Sequence, residues 1–172
     1  MKTFFETVAQ RASTRSFAPD PLTEAEWDHL LRAAMAAPSA VNCQPWEFIV
    51  VEERTILNAL AAALPYAKMA AEAPAAVIVC AVPSRAFEEN LAFAIIDASL
   101  ACENLLLAAE ALDLGAVWTA LYPEAPREAI ARQILGIPKE VIPLALIPLG
   151  KALGETKPKN KFRPELIHRG RW

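Results

Sequence analysis

Residues 75–82 read AAVIVCAV, a run with no charged or hydrogen-bonding side chain. Its length is that of a strand, and a strand apolar on both faces is one covered on both faces. Upstream, WEFIVVEE (46–53) reads as a second short strand. Downstream, Ala116–Leu121 and Val141–Leu149 read as two more, with Pro143 and Pro148 pushing the last toward an edge or a bulge.

The helices between them carry their own punctuation. Thr3 and Glu6 form a capping box ahead of the stripe Phe4, Phe5, Val8 and Ala9, and this helix fades near Arg11. Thr23 and Glu26 repeat the box, with Leu22 and Trp27 placed as a hydrophobic staple. Trp27, Leu30, Leu31, Ala34 and Met35 then keep helical spacing until Pro38 stops the helix. Residues 54–72 are Ala-rich and helical, broken at Pro65. Residues 90–114 make the longest helix, apolar on most sides and therefore expected at the centre. Its Asp97, Glu103 and Asn104 then need partners, and Gly115 stands where a left-handed C′ glycine would end it. A short helix over 126–135 is closed by Gly136 and Pro138. Helices first, then strands alternating with helices, give an α+β domain of two or three layers.

A chain of 172 residues is most simply one domain, 1–172. At 55% hydrophobic it is greasier than an average soluble domain, from a full core or from an apolar face covered by another subunit. A net charge of −3 argues against nucleic acid as a partner. The start, MKTFFETVAQR, has no signal-peptide core, and no apolar run approaches a membrane span, so no membrane partner is expected. Cys43, Cys80 and Cys102 are odd in number and widely spaced, which speaks for a reducing cytoplasm and against disulfides or zinc.

Two cationic features stand out. In RASTRSF, Arg11, Ser13 and Arg15 alternate, so an extended chain points them the same way, as an anion receptor or as a plain solvated turn. The tail, 157–172, carries six Lys/Arg against one Glu: Lys157, Lys159, Lys161, Arg163, Arg169 and Arg171. Phe162, Leu166, Ile167 and Trp172 are interleaved there, which favours a tail packed on the body or on a partner subunit. Catalytic side chains are harder to find. No signature pairs Cys43 with His29 or His168, Asp97 and Glu103 do not share a helix face, and no metal set is apparent. With five glycines, neither G-x-G-x-x-G nor a P-loop is present. Anion-binding cations without an acid, base or nucleophile suit an enzyme whose cofactor does the chemistry.

Arg11, Ser13 and Arg15, followed by PSAVNCQPW (38–46), resemble the nitroreductase family of FMN-dependent oxidoreductases. AEAPAAVIVCAV, DASLACENLLLAAEALDLGAVWTALYP, LGIPKEVIPLALIPLGKA and KFRPELIHRGRW match in the same order, over nearly the whole chain. The resemblance implies a three-layer α+β fold, a mostly antiparallel sheet of about four to five strands, and an obligate homodimer with FMN at the subunit interface. Carried over by position, Arg11, Ala12, Ser13, Thr14 and Arg15 hold FMN, Arg11 at the phosphate and ribityl chain and Arg15 near the N1/C2=O edge. Pro38, Ser39, Ala40 and Asn42 reach it from the partner subunit, with Gln44 close behind. Trp118, Thr119 and Ala120 present backbone to the flavin ring, Lys161 and Arg163 are phosphate cations, and Lys68 is a further flavin-edge lysine. This chain departs from the family where Gly is usual, at Ala120 and at Asp113. The implied activity passes hydride from NADH or NADPH through flavin N5 to an electron-poor small molecule, a nitroaromatic or quinone, by a ping-pong mechanism without a catalytic side chain. A flavin-binding or sensor protein without turnover, or a relative that uses reduced flavin for dehalogenation or flavin fragmentation, is the alternative.

Overall fold

The computed structural model describes residues 2–154, 157, 158 and 160–172; Lys159 of the cationic tail lies outside them. The chain runs α1 (Phe4–Gln10), α2 (Glu24–Met35), β1 (Trp46–Val51), α3 (Arg54–Ala63), β2 (Ala75–Ala81), α4 (Leu91–Ala111), β3 (Leu114–Ala116), β4 (Thr119–Ala120), α5 (Ala125–Leu135) and β5 (Ile142–Lys151). Both capping boxes form, at Thr3 with Glu6 and at Thr23 with Glu26.

One five-stranded sheet has the order β1-β2-β5-β3, with β4 also on β5, and every pairing is antiparallel. β2 is buried along its whole length, as its unbroken apolar run requires. Val77, Val79, Ile147 and Leu149 face α2 and α4, packing with Trp27, Leu30, Ala98 and Leu105. Ala76, Ile78, Cys80 and Leu146 face the other way, onto Leu57 and Leu60 of α3 and Ala131 of α5. The fold is therefore a three-layer α+β sandwich, which settles the choice between two and three layers in favour of the one the family resemblance implies.

Three expectations need correction. The first concerns β5, which is central and not an edge strand. Its Pro148 carbonyl accepts the Val117 N–H at 3.3 Å. An antiparallel residue points its N–H and C=O at the same neighbour, so Pro148 has no N–H to return to Val117. The strand expected over 116–121 is accordingly split into β3 and β4, each still paired with β5. Pro143 sits opposite Cys80 beside a register irregularity, so the bulge half of the expectation holds.

The second concerns α4, which is not buried all round. Ala94, Ala98, Ala101, Leu105 and Ala109 face the core, while Ile96 is 55% and Leu100 40% exposed. By length and composition α4 is also apolar enough to cross a membrane, contrary to the sequence expectation. Here it serves as a core helix, with Asp97, Glu103 and Asn104 each engaged by another part of the chain.

The third concerns Gly115. The left-handed residue after α4 is Asp113, with φ 58°, while Gly115 lies inside β3.

Candidate functional site

After α1 the chain turns extended and lies against the end of the sheet. The Thr14 N–H donates to the Ala116 carbonyl at 3.0 Å, and the Ala18 N–H donates to Lys151 at 2.8 Å. Single bridges join Ser13 to Ala116 and Phe17 to Ala152. Extended geometry then alternates the side chains: Thr14 is buried, while Ser13 and Arg15 face outward. A Cβ on Gly115 would lie 2.5 Å from Thr14 Cγ2, so only glycine lets the segment approach β3 this closely.

Arg11 and Arg15 open onto two different grooves. Arg11, its side chain 23% exposed, has Nε 3.4 Å from Glu103 Oε1. Around it lies a groove of about 640 Å³ lined by Val8, Ala9, Glu103, Pro158, Asn160, Lys161 and Phe162. The tail thus crosses the body at this point and sets Lys161 beside Arg11, although its described residues stay exposed. Arg163 is exposed and lines neither cationic groove. The second groove, of about 590 Å³, is lined by Arg15, Tyr66, Lys68, Met69 and Glu72. Lys68, which sequence spacing tied only loosely to the site, therefore stands with Arg15.

Trp118 is half-buried, Thr119 is buried and Ala120 is partly exposed. The Ala120 carbonyl accepts from the Arg127 guanidinium at 3.3 Å, and that guanidinium lies 5.7 Å from the centre of the Tyr66 ring. Arg127 thereby connects residues 118–120 with the Arg15 groove, a long-range link that the sequence reading missed. The only local signal was Tyr66 itself, an aromatic directly after Pro65 that proves 79% exposed and left-handed, with φ 60°.

The 38–44 segment is built differently. Val41, Asn42 and Gln44 are all left-handed, at φ 52°, 58° and 51°. Ser39 Oγ accepts the Gln44 N–H at 2.9 Å, and Asp97 accepts the Ala40 N–H at 3.2 Å. Pro38, Ser39, Ala40 and Asn42 line neither cationic groove of their own chain. Gln44 borders a separate groove with Met35, Trp46 and Phe48.

Nucleophilic chemistry finds little support. Burial pushes the Cys80 thiol up to about 12 and raises the Cys102 thiol as well. Cys43 is half-buried in the strained turn. The exposed His29 ring contacts the Ala25 carbonyl, and His168 stacks on Trp172 with centroids 4.3 Å apart. Among the described residues, no cluster of His, Cys, Asp and Glu is placed to hold a metal. Phe4 and Phe5 of α1, with Ile96 and Leu100 of α4, form exposed apolar surface on two helices that touch.

A model described as the nitroreductase family matches residues 8–74 and 54–151. A Methanothermobacter thermautotrophicus protein, provisionally named an NADH dehydrogenase/NAD(P)H nitroreductase, is 40% identical over 167 residues, 97% of this chain and 86% of the relative. A Parabacteroides distasonis crystal structure with the same provisional name superposes with a TM-score of 0.94 at 40% identity, covering 100% of both chains. The FMN-dependent nitroreductase of Clostridium difficile superposes with a TM-score of 0.89 at 25% identity, covering 98% of this chain and 99% of its own. In sequence and in fold alike, this chain belongs to the nitroreductase family.

Proposed function

We propose that this protein is an FMN-dependent oxidoreductase that uses NADH or NADPH to reduce an electron-poor small molecule, a nitroaromatic or a quinone. The observation that carries the reading is the Ser13–Arg15 segment pinned on Ala116, with a cationic groove at each end. The donor set fits FMN: guanidinium and ammonium at Arg11 and Lys161 suit a phosphate, and those at Arg15 and Lys68 suit the carbonyl edge of a flavin. The FMN dependence of the Clostridium difficile relative and the NAD(P)H in the Methanothermobacter thermautotrophicus relative's name agree with it.

When bound, FMN supplies hydride transfer at its N5 atom, accepting from the nicotinamide and giving to the acceptor in alternate half-reactions. The chain's own residues bind and orient. Arg11 and Lys161 would hold the phosphate, Arg163 would add a third cation from the same tail although it lines neither groove of its own chain, and Ala12, Ser13 and Thr14 would keep the segment in place. Arg15 and Lys68, on one groove, would supply positive charge at the carbonyl edge of the flavin. Trp118, Thr119 and Ala120 would offer backbone to the ring, with Arg127 steadying the Ala120 carbonyl. Water meets the proton demand, so no side chain need act as an acid.

The second half of the site comes from another copy. Pro38, Ser39, Ala40 and Asn42 stand apart from both grooves of their own chain, and the exposed apolar surface on α1 and α4 suits a homodimer interface. The tail, 157–172, with Phe162, Leu166, Ile167 and Trp172 exposed, gains a covering surface in that assembly. We place the protein in the cytoplasm, where reduced nicotinamides are supplied.

Titration with FMN followed by anaerobic stopped-flow reduction with each nicotinamide tests the reading. Stoichiometric FMN, its bleaching by NADH or NADPH, and parallel double-reciprocal plots with a nitroaromatic or quinone are expected. A protein that takes up no FMN overturns it. Bound FMN that neither nicotinamide reduces points to a sensor, and reduction without acceptor turnover points to dehalogenation or flavin fragmentation.

A further inference from the structure

We propose that Asp97 is a positioning residue for the 38–44 turn, and that its effect is felt at the FMN site of the neighbouring subunit. The inference rests on the shared FMN site proposed above.

Among the described residues, Asp97 is the one buried carboxyl, at 3% exposure in the middle of α4. It faces no cation in any ion pair among those residues. A buried carboxyl is costly unless its oxygens receive hydrogen bonds. Among the described residues, the one it receives comes from the Ala40 N–H, at 3.2 Å. Seven residues further along α4, on the same face, Asn104 donates to the Ala33 carbonyl at 2.9 Å. The central helix thus holds both the end of α2 and the turn that follows it.

That turn needs holding. Val41, Asn42 and Gln44 are all left-handed, a region that disfavours any residue with a Cβ and a β-branched valine most of all. Such strain persists only where the surroundings over-determine it, and it gathers at ligand clamps. The turn's other hydrogen bonds are local: the N–H groups of Asn42, Cys43 and Gln44 donate to the Ser39 carbonyl, the Ala40 carbonyl and Ser39 Oγ, and the Gln44 carbonyl accepts the N–H of Trp46 at the start of β1. Among the described residues, the Ala40–Asp97 bond is the one hydrogen bond that fastens residues 38–44 to a part of the chain distant in sequence. Removing Asp97 therefore releases the surface carrying Pro38, Ser39, Ala40 and Asn42 while leaving Arg11 to Arg15 of the same chain in place.

The test titrates FMN into purified homodimers and follows flavin fluorescence and the visible spectrum of the bound flavin. Asp97→Ala is expected to raise the Kd for FMN about tenfold, the loss of one strong buried hydrogen bond, and to shift the bound spectrum. Asp97→Asn keeps an acceptor oxygen and is expected to restore both. Asp97→Ser, with a shorter oxygen, carries the same comparison where the alanine variant does not fold. Heterodimers of Asp97→Ala with Arg11→Ala chains, made with two different tags, are expected to keep one site of wild-type Kd, because both defects fall in the other site. Unchanged Kd and spectrum in Asp97→Ala, with only a lower Tm, overturn the proposal. So does a heterodimer with no wild-type site, which puts Asp97 to work on its own subunit. A wild-type chain that binds no FMN overturns the site reading itself, an outcome distinct from either.

Discussion

The side chain of Thr14 occupies the space that a Cβ on Gly115 would need, with its Cγ2, Cβ and Oγ1 at 2.5, 2.6 and 2.7 Å from that position. Gly115→Ala must then push the 13–15 segment off β3, an overpacking that costs about 1–3 kcal/mol. At this chain length the Tm falls by roughly 2–4 °C per kcal/mol. FMN affinity should fall with it, because Ser13 and Arg15 are aimed by the same contact. Since Thr14 Cβ is itself too close, only Thr14→Gly in the Gly115→Ala background should recover Tm; serine or alanine should not. Calorimetry and FMN titration of these variants check the expectation.

Arg11 is held by a partly exposed ion pair, with Nε 3.4 Å from Glu103 Oε1, and such a pair contributes little to folding. Arg11→Ala should therefore leave the Tm within about 1 °C, since a few tenths of a kcal/mol moves it no further. Loss of a charge-assisted bond to phosphate should nevertheless raise the Kd for FMN by roughly 10–100-fold. Thermal melts of the apoprotein and flavin-fluorescence titration separate the two effects. Unchanged FMN affinity would remove Arg11 from the phosphate site.

At the end of α4, Asp113 takes φ 58°, and a left-handed residue with a Cβ costs about 1–2 kcal/mol. Its ion pair with Lys2, 3.0 Å long, joins a side chain that is 74% exposed, and Lys2 also bonds Glu110. Asp113→Gly should accordingly be near neutral, strain relief offsetting the lost surface pair. Asp113→Ala loses the pair and the short polar side chain that tolerates this region. Urea denaturation should rank glycine above alanine by about 1 kcal/mol or more.

What could be read from residues alone divides along the range of the interaction. The capping boxes at Thr3 and Thr23 and the two-sided burial of 75–81 are set by neighbours a few residues away, and each forms as expected. Of Arg11, Ser13 and Arg15, expected on one side of an extended chain, Ser13 and Arg15 do face outward together, while Arg11, next to the end of α1, opens onto a different groove from Arg15. Pro148 misled because a proline's missing donor says nothing about which neighbouring strand goes without it. Here it interrupts β3–β4 and leaves the β2 pairing intact, so the strand could stay central. α4 misled because periodicity marks apolar positions without telling a core from a surface kept for another subunit. Glu103, Asn104 and Asp97 needed partners, yet their partners Arg11, Ala33 and Ala40 lie 57 to 92 residues away, beyond any pattern rule. The Arg127–Tyr66 contact was invisible for the same reason.

The buried thiols make the last prediction, in alkali. Burial, with a smaller contribution from the Glu47 carboxylate, pushes Cys80 from the ordinary 9.0 up to about 12. Cys102 moves the same way, chiefly through burial. Both groups keep their protons in the folded chain at a pH where the unfolded chain has lost them. Stability is therefore complete below about pH 9 and declines from there as pH rises toward the folded values, by up to about 1.4 kcal/mol per pH unit for each thiol. The urea midpoint should fall between pH 9 and 11, and Cys80→Ala with Cys102→Ala should flatten that fall even though it lowers the midpoint at pH 7. Alkylation at pH 8 gives an independent reading: the native chain should take up one equivalent of iodoacetamide, at the half-buried Cys43, and the urea-unfolded chain three. Uptake of more than one equivalent by the native chain would show that Cys80 or Cys102 opens to solvent, against their near-complete burial here.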